Sequence, residues 1–135
     1  KKNMLDVALA HNCVYAASAT CGNLVDIQNK VKKALKMKGP KYLQILVTCV
    51  PGWYTEPKDT IKVAKLAQQT GLYPVVEYID GKLVGTAKCP DPKPAVEEYL
   101  KLQGRFKHLF KDDEGKVQVG EIQKIADLNC EKYKL

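Results

Sequence analysis

Of the 22 basic residues in this 135-residue chain, 21 are lysine and one, Arg105, is arginine. A charge of +7 and a pI near 9.1 invite a nucleic-acid reading, because clustered cations release phosphate counterions on binding. The lysines are instead scattered among acids, with no RNA-binding aromatic motif and no recognition-helix pattern. A solvated surface, or one that meets an acidic protein, is the better reading. Long apolar runs are missing too. Nothing approaches the roughly 20 residues that span a bilayer, and Lys1-Lys2-Asn3-Met4 opens no secretory signal, so a cytoplasmic protein without membrane association is expected. The five cysteines are odd in number, and no Cys-x-x-Cys pair suggests a disulfide framework or a self-contained zinc site. Reduced thiols are the default. The two histidines, His11 and His108, fall in no metal-ligand pattern, and neither a nucleophile elbow nor a phosphate loop is present. Glu97 and Glu98 are neighbours on a helix and read as solvated. The chain starts on Lys1 rather than Met, which fits a piece of something longer.

With 45% hydrophobic residues the chain can bury one ordinary core. Apolar spacing predicts a helix over 2–11, a short buried strand over 14–18, and a helix from an Asn23 cap to about Lys38. That helix would turn Leu24, Ile27, Val31, Ala34 and Leu35 inward and its lysines outward. A β-rich run over 42–50 follows, then a helix capped by Asp59 and ending near Thr70, with Ile61, Ala64, Leu66 and Ala67 inward. Helices alternating with strands imply parallel strands joined by crossovers. Residues 75–79, Asp80-Gly81 and 82–86 read as a β-hairpin, since Asp-Gly takes the positive φ angles of a tight turn. Cys89-Pro-Asp-Pro-Lys-Pro94 is a connector and the one plausible boundary, dividing 1–90 from 91–135. Beyond it, one helix is expected over 95–110, a break at Asp112-Asp-Glu-Gly115, and a last helix over 120–133 with Ile122, Ile125, Ala126 and Leu128 inward.

The stretch richest in chemical meaning is Leu46-Val-Thr-Cys-Val-Pro-Gly-Trp53. It carries Cys49 to the end of the 42–50 run, where Pro51-Gly52 is expected to stop the strand and turn the backbone. A cysteine in an apolar strand is most often a small buried hydrophobe. A thiol at a strand exit, however, lies where binding and redox residues sit on α/β sheets. Cys13 and Cys21 bracket the first strand and could share a metal only if the chain folded back. Cys89 and Cys130 show no special context.

Gly39-Pro40, the run into Cys49, Pro51-Gly-Trp53, 61–71, Tyr73-Pro74 and Glu77-Tyr78 together resemble the β subunits of the pyruvate:ferredoxin oxidoreductase (pyruvate synthase) family. Lys1-Lys2, Ala8, Ala10-His11 and Tyr15-Ala-Ala-Ser18 are similar to the stretch after that family's thiamine diphosphate site. Val96-Glu-Glu-Tyr-Leu100 and Gln103-Gly-Arg-Phe-Lys-His-Leu109 are similar to its C-terminal region. The resemblance weakens after Phe110. It implies an α/β fold: part of a doubly wound, mostly parallel thiamine-diphosphate-binding domain (1–90) with the β-hairpin, then the proline connector and a C-terminal helical tail (91–135).

The resemblance also implies an enzyme complex that holds thiamine diphosphate with Mg²⁺ and a [4Fe-4S] cluster, decarboxylates pyruvate oxidatively, forms acetyl-coenzyme A and reduces ferredoxin. Other subunits of the complex, ferredoxin, pyruvate and coenzyme A are the implied partners. Cys49 matches the family's fourth cluster ligand, the one that ends a strand in the C-terminal half. Family members often place Pro directly after this cysteine, where this chain has Val50. The chain has neither the Gly-Asp-Gly run for Mg²⁺-diphosphate nor the N-terminal cysteine trio. Alone it is expected to hold neither cofactor and to be inactive. A sister enzyme acting on 2-oxoglutarate, branched-chain or aryl keto acids, and a non-catalytic binding or assembly module, remain open.

Overall fold

The computed structural model describes residues 2–135. Its elements are α1 (Met4–Ala10), β1 (Tyr15–Thr20), α2 (Leu24–Lys36), β2 (Lys41–Leu46), α3 (Val50–Trp53), α4 (Thr60–Gln69), β3 (Val76–Ile79), β4 (Lys82–Thr86), α5 (Val96–Lys101) and α6 (Asp113–Tyr133). Two 3₁₀ segments, Pro57–Asp59 and Gly104–Phe110, precede α4 and α6. The sheet has the order β2-β1-β3-β4. β1 and β2 are parallel, as the helix between them requires, and the hairpin joins the other side of β1 antiparallel. The sheet is therefore mixed and open.

β1 explains the arrangement. Its sequence Tyr-Ala-Ala-Ser-Ala-Thr is buried at all six positions, two residues further than the apolar run alone suggests. Small side chains let elements close on both faces. On one face Ala16 packs with Leu5 of α1, Val76 and Tyr133; on the other the Tyr15 hydroxyl donates to Glu77 Oε1 at 2.7 Å, beside Lys33 of α2. Where β3 runs out, Ser18 replaces the ladder. Its Oγ donates to Pro74 O at 2.7 Å and accepts the Val76 N–H at 2.9 Å. Pro74 has no N–H to contribute, so a side chain completes the pairing. Thr20 Oγ1 likewise donates to Ala64 O of α4.

α2 differs from its expected face. Lys30 is its most deeply buried residue, with Nζ donating to Ser18 O at 2.8 Å and to Asp26 Oδ2 at 2.7 Å. Leu24 and Leu35, expected inward, are 69% and 76% exposed, and Val25 and Val31 are exposed as well. A lysine whose charge is answered by a helix carboxylate and a strand carbonyl can be buried without an orphaned ammonium.

β2 is shorter than the run that suggested it. It ends at Leu46 because its only strand partner, β1, ends at Thr20, the residue opposite Leu46. Val47 to Cys49 have no ladder to join. Pro51 and Gly52 therefore lie within the turn of α3 rather than forming a turn that stops a strand. In α4 the inward side is Val63, Ala64, Leu66 and Ala67, while Ile61 is exposed. The hairpin turn has positive φ at both Asp80 and Gly81, as that dipeptide favours.

After the connector, the single expected helix is broken. α5 stops at Lys101, and Gly104 begins a 3₁₀ segment where a Cβ would fall 2.6 Å from that of Tyr54. α6 begins at Asp113, seven residues before the expected start, because Asp112 caps it by accepting the Gly115 N–H at 2.8 Å. The acids taken for a break are a capped first turn, favoured at the positive end of the helix. Ile125 and Leu128 are exposed, and Ala126 is the buried residue of that stretch. α4, α5, the second 3₁₀ segment and α6 share an apolar core of Val63, Leu66, Ala67, Val96, Tyr99, Leu100, Leu109 and Ala126.

The Glu77 cluster generates a stability prediction. Burial acts to raise the Glu77 pKa, but hydrogen bonds from Lys33 and Tyr15 outweigh it and hold the carboxyl below its ordinary value. Its contribution is thus present above the ordinary carboxylate pKa and lost as pH falls through the depressed folded value. Glu77→Gln is expected to cost about 1 kcal/mol at pH 7. Denaturant melts of both proteins from pH 7 down to pH 3 should show that difference shrinking; a gap that stays constant would refute the assignment.

Candidate functional site

Cys49 stands three residues beyond β2, at the end of the sheet from which both parallel strands exit. It is exposed and forms no disulfide. It occupies the N-cap position of α3 with extended backbone angles, and its side chain makes no cap hydrogen bond. Beside it, a Cβ on Gly52 would come 2.9 Å from Cys49 Sγ. The glycine therefore leaves that side of the sulfur uncovered, where any other residue would crowd it.

The segment carrying the thiol is fixed at both ends. Before it, Thr48 is buried and its Oγ1 donates to Thr60 O at 3.0 Å, tying the loop to the first turn of α4. After it, the Trp53 N–H donates to Cys49 O at 2.8 Å, and Tyr54 closes the turn in the left-handed region at φ 52. The Gly104 N–H donates to Tyr54 O at 3.0 Å. The lone arginine completes the anchor: the Arg105 guanidinium lies 4.0 Å from the centre of the Trp53 ring and 4.6 Å from that of Phe106. Arg105 Nε donates to Oε1 of Gln103, whose Nε2 donates to Tyr99 O. Gln103 is fully buried, so this chain links the arginine to the core of α5. The resemblance had included Gln103-Gly-Arg-Phe without giving it a task; the sole arginine next to a glycine was the one available signal.

An exposed, anchored thiol with an open flank can act as a soft donor to a metal shared with other segments. It cannot make such a site alone. No group of three or more His, Cys, Asp or Glu capable of holding a metal occurs among the described residues. Cys13 and Cys21 lie at opposite ends of β1, separated by about 20 Å of extended chain, which removes the shared-metal option. His11 ends α1, and His108 is an exposed residue of the second 3₁₀ segment. Glu97 pairs with Lys101 on the surface. Cys89 and Cys130, without sequence context, are brought together in space.

No protein-family model matches the chain. Over all 135 residues, however, it is 40% identical to the pyruvate synthase subunit PorB of Methanosarcina barkeri. The chain belongs to the family of these oxidoreductase subunits. PorB of Methanocaldococcus jannaschii is 40% identical over 96% of the chain, and the ketoisovalerate oxidoreductase subunit VorB of Pyrococcus abyssi is 43% identical over 84%. The chain spans less than half the length of each: 45%, 42% and 37% in that order. No helix among the described residues is long and apolar enough to cross a membrane.

Replacing Arg105 with Ala is expected to loosen the Cys49 segment without unfolding the sheet. Losing a stacking contact of about 1 kcal/mol corresponds to roughly fivefold faster amide exchange over 50–54. Hydrogen-exchange mass spectrometry of that stretch checks it, with β1 as the internal reference; unchanged exchange at Trp53 would remove Arg105 from the anchor.

Proposed function

We propose that the chain is the C-terminal portion of the β subunit of a pyruvate:ferredoxin oxidoreductase, and that Cys49 supplies one ligand of its [4Fe-4S] cluster. The observation that carries this reading is the exposed Cys49 thiol, held just beyond the parallel strand β2 by anchored backbone and left open on the Gly52 side. Similarity to PorB subunits over 96–100% of the chain supports it. A cubane cluster takes four thiolates and, when bound, passes electrons singly. This chain fits as the donor of one. The other three, and the groups that hold thiamine diphosphate and Mg²⁺, belong to parts of the protein outside these residues.

In this reading the whole complex oxidatively decarboxylates pyruvate, releases CO₂, forms acetyl-coenzyme A and reduces ferredoxin in the cytoplasm. The chain's own work is positional. Thr48, Trp53, Gly104 and Arg105 hold the Cys49 Sγ at a fixed place, which keeps the ligand from rearranging as charge arrives and leaves. Residues 1–90 form part of the thiamine-binding α/β domain, and 91–135 form the connector and tail. The exposed apolar side chains of α2 (Leu24, Val25, Leu35) and α6 (Val117, Ile125, Leu128) serve as packing surface for the rest of the subunit and its neighbours. The surplus of lysine suits an acidic ferredoxin.

A second reading differs only in substrate. The match to a ketoisovalerate oxidoreductase subunit is as good as that to the pyruvate synthase subunits, so a branched-chain keto acid is the direct alternative. Steady-state rates of the complete complex on pyruvate, 2-oxoisovalerate and 2-oxoglutarate decide between them. For the site, Cys49→Ser in the complete complex is expected to remove about four iron atoms per subunit, or to render that cluster labile, and to abolish ferredoxin reduction. Full iron content with unchanged electron transfer would sink the ligand assignment.

A further inference from the structure

Three separate segments converge on two thiols that the proposed chemistry does not use. Cys89, at the head of the proline connector, has its Sγ 3.8 Å from Sγ of Cys130 in the last turn of α6. Both are half-buried. The end of α4 forms the floor: Cys89 Sγ lies 3.7 Å from Gln68 O, and Gly71 turns the chain at φ 77. A Cβ on Gly71 would fall 2.4 Å from Cys130 Sγ and 3.7 Å from Cys89 Sγ, so the space for both sulfurs exists because residue 71 has no side chain. Asn129 Nδ2 donates to Gly71 O at 3.0 Å and clamps α6 onto that turn. Lys93 reaches in from the connector, with Nζ 2.5 Å from Asp127 Oδ1 and 3.5 Å from Cys130 Sγ.

We propose that Cys89 and Cys130 form a peroxide-reactive dithiol, with Cys130 as the attacking thiol and Cys89 as the resolving one, whose disulfide ties the connector to α6. The roles follow from the surroundings. Lys93 Nζ stands within hydrogen-bonding reach of the Cys130 sulfur, and its hydrogen bond to Asp127 favours the charged ammonium there. Burial, with the Cys130 sulfur beside it, pushes the Cys89 thiol up to about 11, which suits Cys89 to the second step rather than the first.

In the first step the Cys130 thiolate attacks one oxygen of a hydroperoxide. An S–O bond forms, the O–O bond breaks, and the departing oxygen takes a proton to leave as water or an alcohol. In the second step Cys89 sulfur attacks the sulfenic sulfur of Cys130. The S–S bond forms, the S–O bond breaks, and the hydroxide leaves as water with the Cys89 proton. Two thiols lose two electrons and the peroxide gains them. Bond formation needs the sulfurs to approach by about 1.7 Å, within reach of side-chain rotation and a small shift of the connector. Among the described residues, the pair belongs to no group of three or more His, Cys, Asp or Glu that could hold a metal.

This proposal does not depend on the role of Cys49, and its test reads different cysteines. The complete complex is treated with a few equivalents of hydrogen peroxide, blocked with N-ethylmaleimide, digested with trypsin and mapped by mass spectrometry. The expected result is a species joining peptides 89–101 and 125–132, absent before peroxide and removed by dithiothreitol. Cys89→Ser should leave a sulfenic acid on Cys130 that dimedone traps, and Lys93→Met should slow the reaction at least fivefold. Recovery of both peptides as maleimide adducts after peroxide, or Cys130 trapped by dimedone in the unsubstituted protein, overturns the proposal. The mapping on unsubstituted protein stands even if a variant fails to fold.

Discussion

Burial of β1 on both faces and both edges is the constraint from which the rest of the structure follows. A strand so placed must satisfy every backbone group within the protein and can carry only side chains that let its neighbours close in. Alanine, serine and threonine meet the second demand, and their hydroxyls help with the first. Ser18 completes the pairing that Pro74 interrupts, and Thr20 binds α4. Lys30 then caps a strand carbonyl from α2, which turns a buried charge into part of the same hydrogen-bond system. Adding a methylene group or two to Ala16 or Ala17 would press on several elements at once, a change that costs about 1–3 kcal/mol in well-packed interiors.

The length of β1 also decides where Cys49 lies. β2 has one strand neighbour, so it stays a strand only as far as β1 accompanies it. Val47, Thr48 and Cys49 keep strand-like composition but leave the sheet, and Thr48 fastens them to α4 instead. Had β1 continued, the thiol would have been paired into the sheet. The departure turns an apolar residue type outward, and the 3₁₀ segment bearing Gly104 and Arg105 holds the following turn in place. An exposed thiol and a rigid backbone are opposing tendencies in most loops, and here separate residues supply each.

Much of this was legible in the residues. The order of helices and strands, the Asp80-Gly81 hairpin and the connector follow from local chemistry: periodicity, positive-φ turns and proline. The family resemblance agrees with the relatives found over the full chain. What escaped were features set by distant partners. Leu24 and Leu35 have the spacing of a core face, yet α2 meets the sheet through Lys30, a choice visible only once Ser18 O and Asp26 are in place. The 95–110 pattern is helical throughout, but Gly104 must make room for Tyr54, fifty residues earlier. Asp112-Asp-Glu-Gly115 reads as a break and is instead a cap, because the two use the same residue types. Gly115 is tolerated in the helix since a Cβ there would meet Leu109 O at 2.3 Å.

The cysteines show how surroundings sort one residue type into different tasks. Cys49 is exposed, has a glycine beside its sulfur and makes no cap hydrogen bond, a setting that leaves the sulfur open to a ligand from outside. Cys130 has a lysine against its sulfur and a second thiol in contact, a setting that places a cation and a covalent partner at the same sulfur. The first arrangement suits coordination shared with other segments, because the sulfur is exposed and tied up in neither a cap hydrogen bond nor a disulfide. The second suits oxidation, because two sulfurs already stand 3.8 Å apart. Glycine makes each site possible by omission, at Gly52 in one and Gly71 in the other. Cysteine spacing along the chain carries none of this; the difference arises when α6 folds back across the end of α4 and brings Cys130 to Cys89.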